Sequence, residues 1–278
     1  MINSNKHHNA IHTVKAHRIS TTDSDLSPHE EEVKVIIETP LRIDVEGIEQ
    51  YTMLCTPIDK LPMVAGFLYS EGVINSMDDL SLIEECQDDP GVVRVKLNSQ
   101  VPRIMDSARN LLITSSCGAC GTEEFSKKME AMPKVGDSLR IENRMLRSAM
   151  KDISGIQPLF DTCGGTHLVA IIDSDGKIIS HAEDTGRHNA LDKCIGKCLF
   201  EGVSIAGSWV VLSSRVSLEM VSKCARAGIE LISAISAPTS LAIEMAERCG
   251  ITLCAFVRQT RATVFTHPGR IIKPVQND

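Results

Sequence analysis

The stretch Thr166-His-Leu-Val-Ala-Ile-Ile-Asp-Ser-Asp-Gly-Lys-Ile-Ile-Ser180 holds two short apolar runs, Leu168–Ile172 and Lys177–Ser180, around Asp-Ser-Asp-Gly. Asp, Ser and Gly supply the backbone freedom of a tight turn, so the stretch reads as a β-hairpin. Downstream, the pattern alternates. Asn189–Phe200 reads as a helix, Ser208–Leu212 as a buried strand and Leu218–Ala227 as a helix stopped by Gly228. Ile229–Ile235 follows as a strand, Pro238-Thr-Ser240 opens a helix that ends at Gly250, and Ile251–Val257 and Arg261–Thr266 close as strands. Short apolar strands alternating with amphipathic helices predict a three-layer α/β core over roughly residues 160–270.

Upstream lies a smaller lobe of strands and helices. Val33–Thr39, Leu41–Ile48 and Tyr51–Cys55 resemble strands, Pro62–Tyr69 a helix ending near Gly72, and Gly91–Leu97 a half-buried strand. Thr122–Met132 and Arg140–Lys151 read as helices. Residues 1–30 are polar and aperiodic, which predicts a mobile arm. The expected organisation is an arm over 1–30, an N-terminal lobe over 31–155 and the α/β core over 156–278.

Composition narrows the function. Of the 278 residues, 42% are hydrophobic and 23% charged, as in ordinary globular proteins. Aromatic residues at 3% and a net charge of −7 argue against a base-stacking or duplex-binding surface, so no nucleic-acid partner is expected. The start of the chain lacks an apolar signal segment, and no apolar run is long enough to span a bilayer. Ten cysteines in such a chain predict reduced thiols in the cytoplasm. Cys55, Cys224, Cys249 and Cys254 have apolar neighbours and are expected in the core. Cys194 and Cys198 share one helix face, again as core positions.

Three segments carry chemistry. Ser115-Ser-Cys-Gly-Ala-Cys-Gly121 is a CxxC flanked by glycines and hydroxyls, whose thiols can share a metal, form a disulfide or carry sulfur. Structural zinc needs more ligands than one CxxC offers, and a thioredoxin-type pair belongs at the opening of a βαβ unit. A working thiol pair, Cys117 and Cys120, therefore ranks first, and no metal is expected. Ser180-His-Ala-Glu-Asp-Thr-Gly-Arg-His-Asn-Ala-Leu-Asp-Lys193 crowds ionisable groups between a strand and a helix. It reads either as a solvated turn capped by Asp184 or Thr185, or as an anion pocket at a helix N-terminus with Arg187 and His188; the pocket is favoured. Zinc deaminases pair His-x-Glu with a Pro-Cys-x-x-Cys one strand later, but here Ser213-Ser-Arg-Val-Ser217 stands there. Deaminase topology without the metal site fits. Phe256-Val-Arg-Gln-Thr-Arg261 ends a core strand and offers a cationic binding edge, against the alternative of a basic β-turn.

Taken together, Ser-Ser-Cys-Gly-Ala-Cys-Gly, Gly-Gly-Thr-His-Leu-Val-Ala, Glu-Asp-Thr-Gly-Arg-His-Asn-Ala-Leu-Asp-Lys, Ser-Ser-Arg-Val-Ser-Leu-Glu-Met-Val and Thr-Val-Phe-Thr-His-Pro resemble the FdhD family, formate dehydrogenase accessory proteins. The likeness runs in order from about Val33 to the C-terminus. It implies a cytidine-deaminase-like core and a sulfurtransferase acting as a sulfur carrier. A cysteine desulfurase supplies persulfide sulfur to the CxxC, and the carrier passes it to Mo-bis(molybdopterin guanine dinucleotide) before that cofactor enters formate dehydrogenase. By position, Cys117 is the persulfide-bearing residue and Cys120 its partner. Phe256, Val257, Arg258, Gln259, Thr260 and Arg261 match the segment assigned to the cofactor, with Arg187 and Arg215 as natural anion contacts and His188 beside them. The resemblance also implies a homodimer. The competing readings are an insertion chaperone that binds the cofactor without transferring sulfur, and a zinc-dependent hydrolase or zinc-structured module.

Overall fold

The computed structural model describes residues 9–22, 28–46, 49–98 and 130–273, and Cys117 and Cys120 lie outside them. In chain order the elements are β1 (Ile11–Arg18), β2 (His29–Ile36), β3 (Thr39–Val45), β4 (Glu49–Cys55), α1 (Lys60–Ser70), β5 (Leu80–Glu85) and β6 (Val92–Leu97). After residue 130 come β7 (Ile141–Glu142), α2 (Asn143–Ser154), α3 (Pro158–Cys163), β8 (His167–Ile172), β9 (Ile178–Asp184) and α4 (Arg187–Glu201). The chain continues through β10 (Trp209–Leu212), α5 (Leu218–Arg226), β11 (Leu231–Ala234), α6 (Ser240–Cys249), β12 (Thr252–Ala255), β13 (Thr263–Thr266) and β14 (Ile271–Ile272).

The larger sheet has the order β13-β12-β11-β10-β8-β9. β10, β11 and β12 run parallel, while β8 is antiparallel to both of its neighbours and β13 to β12. Parallel neighbours need crossover helices. The crossovers α5 and α6 advance in one direction across the sheet, so a common hand puts both on the same face. There, with α4, they enclose Val169, Ile171, Val210, Leu212, Ile232 and Leu253. The alternate residues Leu168, Ala170, Ile172, Trp209, Val211 and Leu231 point the other way, onto Leu146, Ala149 and Ile153 of α2. Both faces are thus covered, which explains strands apolar at nearly every position. The turn of the β8–β9 hairpin is pinned by buried Trp209, whose Nε1 donates to the Asp173 carbonyl at 2.9 Å.

The smaller sheet, β4-β3-β6-β5, carries α1 and has its own core of Leu41, Ile43, Val45, Met63, Val64, Phe67, Leu68, Val93 and Val95. It joins the larger unit where α1 lies against α4. A Cβ added at Gly66 would sit 1.9 Å from the Asp192 carbonyl oxygen, and one at Gly196 would sit 1.8 Å from that of Pro62. Two glycines therefore set the helix separation. Around this contact, Ser70 Oγ donates to Asp192 Oδ1 at 2.9 Å and Arg226 Nε donates to the Tyr69 carbonyl at 3.1 Å.

Two sequence expectations are corrected here. Within residues 1–30, read from the sequence as a mobile, aperiodic arm, Ile11–Arg18 is a strand paired in register with His29–Ile36. β1 is exposed at five of its eight positions, so it lacks the apolar alternation that reveals a strand. The expected helix Arg140–Lys151 instead starts at Asn143, because Ile141 and Glu142 pair with Ile271 and Ile272. The cysteine expectations hold: Cys55, Cys194, Cys198, Cys224, Cys249 and Cys254 are all fully buried. Burial pushes the Cys55, Cys194 and Cys254 thiols up to about 12, so they stay protonated.

Candidate functional site

β9, β10, β11 and β12 all end on one side of the larger sheet, and β8, running the other way, begins there with His167. Open α/β sheets present ligand sites at this carboxyl end. The loops that follow are stitched together by their backbones. Ser213 N donates to the Leu168 carbonyl, Ile235 N to Leu212, Val216 N to Ala237, Thr239 N to Val216 and Phe256 N to Ser236, at 3.0–3.3 Å. The helices α5 and α6 start from these loops and α4 from the turn after β9, so their N-terminal N–H groups gather at the same edge.

The ionisable stretch 180–193 divides here by strand alternation. Asp184 turns inward and is fully buried, ion-paired to Lys193 Nζ at 2.6 Å while accepting from Thr56 N at 3.0 Å and Gly186 N at 2.8 Å. Glu183 points to the opposite face and accepts from Leu159 N, Phe160 N and Thr166 Oγ1 at 2.8–3.0 Å, satisfying the start of α3. Neither carboxylate is available as a proton shuttle. His181 lines a separate cavity of about 310 Å³ with Asp59, Glu183 and Lys197. The N-cap of α4 is Gly186, without a side-chain cap bond, so the solvated-turn alternative with Asp184 or Thr185 as the cap does not hold.

Arg187, the first residue of α4, faces Arg215 from the β10–α5 loop, with His167 nearby. Burial and the Arg215 charge lower the Arg187 pKa, and burial with Arg187 and Arg215 lowers that of His167. The Arg187 Nε is buried and has no hydrogen-bond partner among the described residues. Such a group costs free energy unless a ligand supplies the acceptor. His167 was quoted in the sequence but given no role; its signal is a strand that opens after Gly-Gly at this end of the sheet. His188 is different in kind. It is buried, with Nε2 3.2 Å from Ser217 Oγ and 3.3 Å from Glu219 Oε2. Burial, then Arg187, Lys223 and His167, push its pKa down to about 3, so at neutral pH its ring is uncharged.

Val257, Arg258, Gln259, Thr260 and Arg261 line a second cavity, of about 590 Å³, with Arg144 and Arg147 from α2. Phe256 adopts a left-handed φ of 53° and stays 41% exposed, with its ring centroid 6.3 Å from that of Phe265. The conformation is unusual for a bulky residue and turns the chain out of β12. Arg258 N donates to the Arg261 carbonyl at 2.8 Å, closing the turn, and Arg258 Nη1 donates to the Ile235 carbonyl at 2.6 Å. Arg215 and the turn at 256–261 thus share one edge, following strands two spacings (roughly 10 Å) apart, while Arg187 follows β9, two strands further along the same edge. Among the described residues, no group of three or more His, Cys, Asp or Glu side chains is arranged to hold a metal ion, and no helix is long and apolar enough to cross a membrane.

The neutral His188 gives a pH signature. Unfolded, the imidazole takes up a proton near 6.5; folded, only near 3. Acidification between those values therefore removes stability, by up to about 1.4 kcal/mol per pH unit. His188→Gln is expected to flatten this acid limb in urea denaturation at stepped pH. A limb of unchanged slope would assign the titration to other groups.

Residues 36–272 match the model of the FdhD/NarQ family. The chain is 38% identical over 236 residues to the protein of Bordetella bronchiseptica named "Sulfur carrier protein FdhD", covering 84% of this chain and 86% of that one. It is 37% identical over 248 residues to the protein of the same name from Thermoplasma acidophilum, covering 86% of each. A crystal structure from Desulfotalea psychrophila, described as a formate dehydrogenase accessory protein, superposes with a TM-score of 0.74 at 26% identity. That superposition covers 95% of this chain and all of the other. With five ordered motifs and a family match spanning most of its length, the chain belongs to the FdhD/NarQ family.

Proposed function

We propose that this protein is a sulfur carrier for formate dehydrogenase maturation, with Cys117 as the persulfide-bearing residue and Cys120 as its partner. The observation that carries the reading is the buried Arg187 Nε left without a partner among the described residues at the carboxyl end of the sheet, beside Arg215 and His167 and with Glu219 as the nearby acid. There the buried Arg187 Nε, Arg215 and His167 suit an anionic cargo. Relatives named as sulfur carriers support the thiol chemistry. The cargo is Mo-bis(molybdopterin guanine dinucleotide), whose phosphates meet Arg187, Arg215 and the Phe256–Arg261 turn, with His188 as a neutral neighbour. The mixed sheet covered on both faces is read as cytidine-deaminase-like. The working protein is a cytoplasmic homodimer whose partners are a cysteine desulfurase and formate dehydrogenase, with the α/β core over 156–278 as the cargo-binding part.

The chemistry balances in two steps. The Cys117 thiolate attacks the outer sulfur of the desulfurase persulfide, the donor S–S bond breaks, and the donor leaves as a thiolate. Cys120 thiolate then attacks the inner sulfur of the Cys117 persulfide, forming the Cys117–Cys120 disulfide and releasing hydrosulfide for the metal of the cargo. A cellular dithiol reductant reopens the disulfide.

Incubation with a cysteine desulfurase and cysteine should add the mass of one sulfur atom to the peptide carrying Cys117, read by mass spectrometry. Cys117→Ala is expected to abolish activation of formate dehydrogenase, and activation that survives it refutes the catalytic assignment. Cofactor delivery that survives loss of both thiols would favour the insertion-chaperone reading instead. Arg187→Gln should weaken cargo retention while leaving sulfur loading of Cys117 intact, which separates the two halves of the proposal.

A further inference from the structure

We infer that Arg144 and Arg147 of α2 form the second wall of a diphosphate-binding groove whose first wall is the Arg258–Arg261 turn. The ligand class, a nucleotide-type diphosphate, rests on the cargo reading above; the two-walled groove does not. Twelve residues line this cavity of about 590 Å³, four of them arginines and none acidic. In a chain of net charge −7, four exposed arginines around one space, Arg144 partly offset by Glu142, concentrate positive charge and draw an anion to it.

The groove is built from both sides. On one wall, Arg258 is held by bonds from Nη1 to the Ile235 and Val257 carbonyls, which leaves its remaining donors in a fixed orientation. Gln259 and Thr260 add an amide and a hydroxyl. On the other wall, Arg144 and Arg147 lie three apart and so share one face of α2. Asn143, the first residue of α2, also lines the space, and the helix N-terminus has no side-chain cap, so its N–H groups add to the attraction for an anion. The strand pairing of Ile141 with Ile271 fixes where α2 begins, and Ile271 forms part of the floor. Glu142 is paired with Arg144, which neutralises part of that side chain. Among the described residues, the guanidinium groups of Arg147 and Arg261 have no hydrogen-bond or ion-pair partner, one on each wall. A diphosphate has two charged ends and enough oxygens for bidentate contacts to both. Orthophosphate can satisfy one wall at a time.

Calorimetric titration of the full chain with inorganic pyrophosphate and, separately, orthophosphate tests this. Pyrophosphate is expected to bind at least tenfold more tightly than orthophosphate. Arg147→Gln and Arg261→Gln should each weaken it tenfold or more, with thermal unfolding unchanged. Lys151→Gln removes a charge from the same helix outside the groove and should bind as the parent does. The inference is overturned if the Arg144→Gln/Arg147→Gln double variant binds pyrophosphate like the parent, if Lys151→Gln weakens it as much as Arg147→Gln, or if the two anions bind equally. Sulfur loading of Cys117 measured in the same variants reports on the carrier reading separately: its failure with pyrophosphate binding intact refutes the carrier and leaves the groove standing.

Discussion

Gly196→Ala is expected to destabilise the protein by more than the roughly 1–3 kcal/mol usual for overpacking. The added methyl would sit 1.8 Å from the Pro62 carbonyl oxygen, and the neighbouring close atoms are also backbone, so no side-chain rotation relieves the clash. α1 and α4 must separate, and with them the contact between the two sheets. At roughly 2–4 °C per kcal/mol for a chain of this size, the melting temperature should fall by about 10 °C. Gly269→Ala meets nothing within 4 Å and serves as the neutral comparison. Equal melting temperatures for the two variants would show that the helix contact does not depend on the glycine.

Lys193→Met should cost about 3–5 kcal/mol, the range for breaking a buried ion pair. Its ammonium and the Asp184 carboxylate are both wholly buried, 2.6 Å apart, and Nζ also donates to the Thr56 carbonyl at 3.0 Å. Removing one partner leaves the other charge desolvated and alone. Combining it with Asp184→Asn is expected to recover part of the loss, which a double-mutant cycle in urea denaturation measures. Asp184 also accepts from Gly186 N and Asn189 Nδ2, at 2.8 and 3.0 Å, and so sets where α4 begins. Asp184→Asn should therefore disturb the position of Arg187 as well as the fold. Additive costs for the two substitutions would show that the pair is not coupled.

The core was legible because its signals are local. Gly228 and Gly250 stop helices and take left-handed φ values of 72° and 75°, as their positions after apolar periodic runs suggest. Leu168–Ile172 and Ser208–Leu212 are short apolar runs buried on both faces, as the sequence reading expects. Of the ribbon, only the end of β2 was legible, within the expected strand Val33–Thr39; β1 and the edge strand β5 were not, because packing imposes little pattern on exposed strands. The stretch 180–193 was legible as important and misread in detail. Its charges look like one pocket in the sequence, but strand alternation sends Glu183 to α3 and Asp184 to Lys193 and Thr56. Partners 128 residues apart leave no mark in local pattern. Arg144 and Arg147 were missed for the same reason: the pairing of β7 with β14 and the packing of α2 on the sheet carry them to the turn at 258–261. Cys117 and Cys120 lie outside the described residues, so their role rests on motif and kinship.

On the proposed function, the backbone bonds joining the loops at 213–217, 235–239 and 256–257 bear on how cargo would load and unload. Peptide groups, which every residue except proline supplies in full, hold the mouth of the site in shape before anything enters it. Docking then spends little free energy on ordering the protein, and release does not require the mouth to collapse. Such a receptacle turns over as a mould does, filled and emptied without being remade.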